Sequence, residues 1–172
     1  LVFLGGPCAI DPSVFEDYDG RLWLSFGSHG LDGAPGYGGI WIVELDSETG
    51  HIPESADPVW KPDNLAYTHL ANYGETKYTE NNVEAPFIYK HNDLYYLFVN
   101  WDRCCNGVDS DYRILVGRSK LPTGPYLDKT GQNMFDGGGS LVLESEGRFI
   151  GPGHAGIFQG EAGKFCFSFH YY

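Results

Sequence analysis

Short apolar runs alternate with clusters of Gly, Pro, Asn and Asp along most of the chain, and apolar residues at helical spacing are almost absent. This pattern is typical of an all-β protein with many tight turns. Residues 53–78 contain three prolines and many polar side chains, so we predict a long loop there with room for one short helical turn. The predicted strands are 13–15, 21–26, 40–45, 85–89, 94–99, 113–117, 140–143, 156–158 and 164–169.

The strand pattern recurs three times at a nearly constant interval. Each copy begins with a polar residue, continues as a strand and a hairpin turn, and ends in a strand rich in large apolar residues. The copies begin near Asp11, Glu84 and His154, which are 73 and 70 residues apart. A unit of this kind is typical of one blade of a β-propeller. We therefore predict that residues 1–172 are part of a single β-propeller domain and contain about two and a half blades.

The two ends of the chain also favour an incomplete propeller. Two and a half blades cannot close a ring. The sequence begins at Leu1 without a Met or a visible signal peptide, and it stops at Tyr172 directly after an alternating strand pattern. We expect a fragment of a larger domain.

The propeller arrangement predicts where candidate chemistry lies. The first strand of each blade lines the central axis, so Asp11, Glu84 and His154 would converge at one end of that axis. Paired carboxylates suit acid and base catalysis, with glycoside hydrolysis as the first candidate. The alternatives are that Asp11 only starts a strand before Pro12, that Glu84 faces solvent, and that His154 is a core histidine bonded to a backbone carbonyl.

Composition narrows the possible partners. The formal charge of −12 and the pI near 4.7 argue against nucleic acid, and no apolar run approaches the length of a membrane span. We expect no nucleic-acid or membrane partner and a monomer. Aromatic residues are abundant and could stack on sugars, and Trp101 is the best candidate because it ends a strand and enters a polar loop. Adjacent cysteines rarely bridge, so Cys104 and Cys105 do not indicate a long disulfide ladder, and their redox state stays open.

Several ordered motifs resemble those of glycoside hydrolase family 43, and in particular its endo-α-1,5-L-arabinanase branch. The resemblance spans nearly the whole chain, and the combination of motifs is more specific than any one of them. The motifs are 9–15 (Ala-Ile-Asp-Pro-Ser-Val-Phe), 25–28 (Ser-Phe-Gly-Ser), 38–40 (Gly-Gly-Ile), 83–88 (Val-Glu-Ala-Pro-Phe-Ile), 104–107 (Cys-Cys-Asn-Gly), 112–119 (Tyr-Arg-Ile-Leu-Val-Gly-Arg-Ser) and 151–156 (Gly-Pro-Gly-His-Ala-Gly).

The resemblance implies a five-bladed propeller and an inverting hydrolase with three acidic residues. Glu84 matches the general acid, and Asp11 matches the aspartate that orients this acid and raises its pKa. The general base of the family is an aspartate upstream of Asp11, and nothing before Leu4 can supply it. The chain therefore matches two of the three acids in a catalytic domain.

The resemblance also implies ligand contacts. His154 matches a residue that holds a metal, often calcium, in the central channel through a water shell. Trp101, Cys104, Cys105 and Ser28 fall where loops that contact arabinose are expected. The expected partner is therefore arabinan or an arabino-oligosaccharide, and the family implies a secreted protein.

Together these features predict internal cleavage of α-1,5-linked L-arabinan with inversion of the anomeric configuration. Three alternatives stay open. The protein could be an exo-acting arabinofuranosidase or a β-xylosidase of the same family, a glycan-binding propeller without catalysis, or a structural repeat whose acids are solvated.

Overall fold

The computed structural model describes residues 9–28, 38–53, 66–72 and 83–172, and the strands in these ranges form three antiparallel sheets. Three short 3-10 turns lie between strands, at Gly107–Asp109, Met134–Asp136 and Glu161–Gly163. The strands are β1 (Ala9–Glu16), β2 (Leu22–Ser28), β3 (Gly39–Leu45), β4 (Tyr67–Ala71), β5 (Val83–His91), β6 (Leu94–Trp101), β7 (Arg113–Ser119), β8 (Ser140–Leu143), β9 (Gly153–Gln159) and β10 (Phe165–His170).

Each strand in a sheet pairs with the next strand of the chain. The first sheet has the order β1-β2-β3-β4, the second has the order β5-β6-β7-β8, and β9 pairs with β10 in the third. These meanders are two complete blades and the inner half of a third. The prediction of a partial propeller with about two and a half blades is confirmed. Within the described ranges we find no helix with the length and hydropathy of a membrane span.

Strand β4 corrects the prediction of a continuous loop over 53–78. Its five residues pair with β3, and Tyr67, Leu70 and Ala71 are buried. Burial against β3 therefore outweighs the polar character of the surrounding sequence. The described residues of this stretch, 53 and 66–72, contain no helical turn. The predicted helical turn otherwise falls on 54–65 or 73–78, which lie outside the described residues.

The principal core lies between the first two blades. It joins side chains of both sheets, including Ile40 and Ile42 from β3 and Leu97 and Val99 from β6. Complete burial of such a side chain contributes about 1.5–3 kcal/mol to folding. A second contact region places Phe98 and Ile114 against Ala155 of the third blade. Neighbouring blades are thus joined mainly by apolar packing.

Gly27 permits a close approach between the blades at the end where β1 begins. A Cβ atom built on Gly27 would lie 3.3 Å from the Cα atom of Glu84. A glycine on β2 therefore lets the backbone of β5 lie directly against the first blade. This contact fixes the position of Glu84 relative to that blade.

Candidate active site

The first strand of each blade carries the same irregularity close to its start. The pairing register shifts after Ile10 in β1 and after Glu84 in β5, and it shifts opposite the start of β9. At each bulge one residue has a left-handed backbone, with φ of 52° at Asp11, 52° at Ala85 and 57° at His154. Bulges of this kind are enriched beside active sites, where they redirect side chains. The structural repeat therefore aligns Asp11 with Ala85, so Glu84 lies one residue earlier than the sequence repeat placed it.

The bulges bring the two predicted carboxylates onto adjoining strands. The carboxylate Oδ2 of Asp11 accepts a hydrogen bond of 3.1 Å from the backbone N–H of Ala85. Glu84 precedes that amide directly and is only 8% exposed. The alternative in which Glu84 faces solvent is therefore wrong.

Tyr112, which the sequence analysis did not name as a site residue, contacts the Glu84 side chain directly. Its hydroxyl donates a hydrogen bond of 2.7 Å to Oε1 of Glu84, and both side chains are buried. Burial, followed by the negative charge of Glu84, raises the pKa of Tyr112 far above its usual value. The phenol therefore stays protonated and acts as a donor. In the sequence, Tyr112 is the first residue of the motif 112–119 and directly precedes a predicted strand, and neither feature predicted its contact with Glu84.

Asn100 is a second residue that the sequence did not reveal. It is fully buried and lies opposite Glu84 in the pairing of β5 with β6. Its side-chain amide donates to the carbonyls of Arg113 and Pro152, each at 3.2 Å, and its Oδ1 accepts from the N–H of His154 at 2.9 Å. A single buried amide thus connects the strand beside Glu84 to the bulge of the third blade.

His154 is exposed at this same end of the sheets. Its ring centre is 6.4 Å from that of His170, and burial, with a smaller contribution from His154, lowers the pKa of His170. Among the residues with described structure, no group of three or more His, Cys, Asp or Glu side chains could hold a metal ion. Calcium prefers six to eight oxygen ligands, so His154 and its neighbour do not form a direct coordination site. A calcium ion held through water stays a prediction.

Two of the predicted substrate contacts lie at the ends of strands near Glu84. Trp101 ends β6, packs against the principal core and pairs with Val83, the residue before Glu84. The guanidinium carbon of Arg113 is 5.6 Å from its ring centre. Ser28 ends β2, where its backbone pairs with Ala9 and Gly39. The backbone of Ser28 therefore lies near the start of β1.

Cys104 and Cys105 form a disulfide, a pairing that adjacent cysteines rarely make and that the sequence left open. Hydrogen bonds fix the surrounding loop: the N–H of Cys105 donates to the hydroxyl of Tyr172 at 2.9 Å, and the N–H of Asn106 donates to Oγ of Ser110 at 3.0 Å. Cys105 also has a left-handed backbone, with φ of 68°. Hydrogen bonds to Tyr172 and Ser110 therefore hold the loop in a conformation in which the sulfur atoms of the two adjacent cysteines lie close enough to bond.

Comparison with known families identifies the class of protein. The model for "Glycosyl hydrolases family 43" matches residues 2–172. The chain belongs to glycosyl hydrolase family 43. The resemblance drawn from the motifs is thereby confirmed, and the half-propeller of this family 43 chain agrees with the solved arabinanase structures.

Named relatives include both exo- and endo-acting proteins. The family 43 chain is 38% identical over 146 residues to an extracellular exo-α-(1→5)-L-arabinofuranosidase of Cellvibrio japonicus, with 85% of the chain and 39% of the relative covered. It is 39% identical over 155 residues to the extracellular endo-α-(1→5)-L-arabinanase 1 of Bacillus subtilis, with 88% and 41% covered. The chain thus spans about two fifths of the length of these relatives.

A solved structure supports the same grouping. The α-L-arabinanase of Cellvibrio cellulosa complexed with arabinohexaose superimposes with a TM-score of 0.76 at 32% identity. The match covers 95% of the family 43 chain and 48% of the solved chain.

Proposed function

We propose that the natural protein containing this chain is a glycoside hydrolase that cleaves α-1,5-linked L-arabinan internally and with inversion. The observation that carries the proposal is the hydrogen bond from the N–H of Ala85 to the carboxylate of Asp11, directly beside the buried Glu84. It joins the first strands of two blades at the point where each supplies a carboxyl group. Residues 1–172 then form part of a single propeller catalytic domain.

In the proposed reaction Glu84 is the general acid. Its protonated carboxyl group gives a proton to the glycosidic oxygen as the bond to the anomeric carbon breaks. The negative charge of Asp11 nearby disfavours ionisation of Glu84 and so keeps it protonated to a higher pH. An aspartate upstream of Asp11, assigned by the family resemblance, removes a proton from the water that attacks the opposite face of the sugar.

The named relatives support arabinan as the substrate class. One is named an endo-arabinanase, one is named an exo-arabinofuranosidase, and a solved relative is described with bound arabinohexaose. We assign sugar contacts to Trp101, Cys104, Cys105 and Ser28, and a water-mediated calcium ion to His154. Because both curated relatives are named extracellular, we also propose that the protein is secreted.

The test is hydrolysis of linear α-1,5-arabinan by the natural protein. We expect a ladder of oligosaccharides when the products are separated by length, and β-configured reducing ends when they first appear in the proton NMR spectrum. Arabinose as the sole early product would replace endo action with exo action. Binding of arabino-oligosaccharides in calorimetry without new reducing ends would replace the enzyme with a glycan-binding propeller.

A further inference from the structure

The Tyr112 side chain joins two structural units at the proposed site. It lies immediately before β7 in the second blade, and its hydroxyl reaches Oε1 of Glu84 on β5 of the same blade. Its ring faces the third blade, where it stacks on His170 with ring centres 6.0 Å apart and planes inclined by 21°. We propose that Tyr112 is the positioning residue of Glu84, fixing its carboxyl group for proton donation and coupling it to the third blade. This inference rests on the proposed function.

The surroundings of the ring leave it little freedom. Gly153, the first residue of β9, lies so close that a Cβ atom there would overlap the Tyr112 ring. Both the ring and the carboxyl group that it contacts are buried. A tyrosine held in this way is rigid, because it has only two side-chain torsions and both are blocked by packing. The hydroxyl is therefore a fixed point against which the Glu84 carboxyl group is oriented.

The hydrogen bond also selects which oxygen carries the proton. A protonated carboxyl group has one O–H, and the tyrosine hydroxyl already donates to Oε1. The acidic proton of Glu84 therefore resides on Oε2, and that oxygen is the one that donates to the leaving group. Without Tyr112 the proton could reside on either oxygen and the carboxyl group could rotate.

Tyr112 and Asp11 act on Glu84 in opposite directions. A donated hydrogen bond favours the ionised carboxylate, whereas a nearby negative charge disfavours it. The charge of Asp11 keeps Glu84 protonated while substrate binds, and the hydrogen bond from Tyr112 stabilises the carboxylate that remains once the proton has moved to the leaving group. Removal of the tyrosine hydroxyl should therefore extend the pH range in which Glu84 is protonated, while lowering the rate.

The test compares Tyr112→Phe with Tyr126→Phe in the natural protein acting on linear arabinan. Tyr126 is the matched control, because it is fully buried, donates a hydrogen bond of 2.9 Å to the carbonyl of Pro122, and has Tyr95 and Asp17 as its titratable neighbours. For Tyr112→Phe we expect kcat to fall by about 10- to 100-fold with KM nearly unchanged, the loss typical of one hydrogen bond to a charged group. The alkaline limb of the pH profile of kcat/KM should move up by about one pH unit. Tyr126→Phe should keep the wild-type profile.

Two outcomes would overturn the proposal: an alkaline limb that does not move, or one that moves equally in both variants. If Tyr112→Phe does not fold, site-specific 3-fluorotyrosine at position 112 keeps the ring and makes the phenol a stronger hydrogen-bond donor. The alkaline limb should then move to lower pH, and no movement would again reject the proposal.

If the wild type cleaves no arabinan, the proposed function fails, and the contact between Tyr112 and Glu84 is tested by a carbon-13 NMR titration of Glu84. A higher pKa in Tyr112→Phe supports the positioning contact, and an unchanged pKa rejects it.

Discussion

Asp17 offers the sharpest test of how the first two blades are held together. It follows β1 at the end opposite Asp11, and its side chain is 2% exposed. The ammonium group of Lys90, on β5, donates to Oδ1 at 2.7 Å, and the hydroxyl of Tyr95, on β6, donates a short hydrogen bond to Oδ2. The first strands of the two blades are thus connected at both ends, by Asp11 at the site and by Asp17 away from it.

Replacement of Asp17 by Asn keeps the shape but removes the charge. Loss of one partner of a fully buried ion pair typically costs about 3–5 kcal/mol, because the other charge stays unpaired. Lys90 is 19% exposed and can recover part of its hydration, so we expect Asp17→Asn to lower the free energy of unfolding by about 2–3 kcal/mol. Asp19→Asn is the control on the same hairpin: Asp19 pairs with Arg21 at 2.7 Å, but both side chains are about half exposed, so the expected cost is about 0–1 kcal/mol.

The effect of Asp17 should depend on pH in a defined direction. Burial by itself would raise the pKa of Asp17, but the hydrogen bonds from Lys90 and Tyr95 outweigh it and hold the pKa below its usual value of 3.8. A carboxyl group with a lowered pKa in the folded state stabilises the fold above its unfolded pKa and loses this contribution as the pH falls through the folded value. The difference between wild type and Asp17→Asn should therefore be complete at neutral pH and shrink below about pH 4.

The assay is urea unfolding of the natural protein and its two variants, followed by tryptophan fluorescence at neutral and acidic pH. If Asp17→Asn costs no more than Asp19→Asn at neutral pH, the buried pair does not stabilise the contact between blades. If the difference from wild type stays constant into the acidic range, the assignment of the lowered pKa to Asp17 is wrong.

Two further predictions concern the site. Asp11→Asn removes a negative charge beside Glu84, so the alkaline limb of the kcat/KM profile should move to lower pH, opposite to the shift expected for Tyr112→Phe; an unmoved limb would contradict the role of Asp11. Asn100→Ala leaves three backbone groups without their buried partner, so we expect the free energy of unfolding to fall by about 2–4 kcal/mol and the amide of His154 to exchange faster with deuterium. An unchanged exchange rate at His154 would show that Asn100 does not hold the third bulge.

The architecture and the placement of Asp11 beside the strand of Glu84 could be predicted, because both depend on a repeat that the sequence displays directly. Alternation of apolar residues and turn signals located most strands, and the interval between Asp11 and Glu84 predicted that these two residues lie on neighbouring first strands. The one-residue offset between the two could not be seen, because it arises from bulges whose left-handed residues, Asp11 and Ala85, follow no composition rule. Strand β4 was missed since its burial depends on pairing with β3.

The remaining site residues depend on contacts between distant parts of the chain. Tyr112 begins the motif 112–119, but neither this motif nor the strand that contains Asn100 indicates a partner, since tyrosines before strands and asparagines within them also occur as ordinary packing or surface residues. Their roles follow only from partners 28 and 54 residues away, Glu84 and His154. The disulfide between Cys104 and Cys105 depends in the same way on a distant contact, because the hydroxyl that binds the Cys105 amide belongs to Tyr172, 67 residues further along the chain.

The most direct test of the central claim is to measure how the turnover of a Glu84→Ala variant depends on the leaving group of the substrate. The natural protein and the variant are compared on linear arabinan and on the 2,4-dinitrophenyl glycoside of an arabino-oligosaccharide, whose phenolate leaves without being protonated. If Glu84 donates the proton, the variant should lose about 10²–10⁴-fold in turnover on arabinan and little on the dinitrophenyl glycoside. Equal losses on both substrates, or near-normal cleavage of arabinan, would contradict the assignment of Glu84 as the general acid.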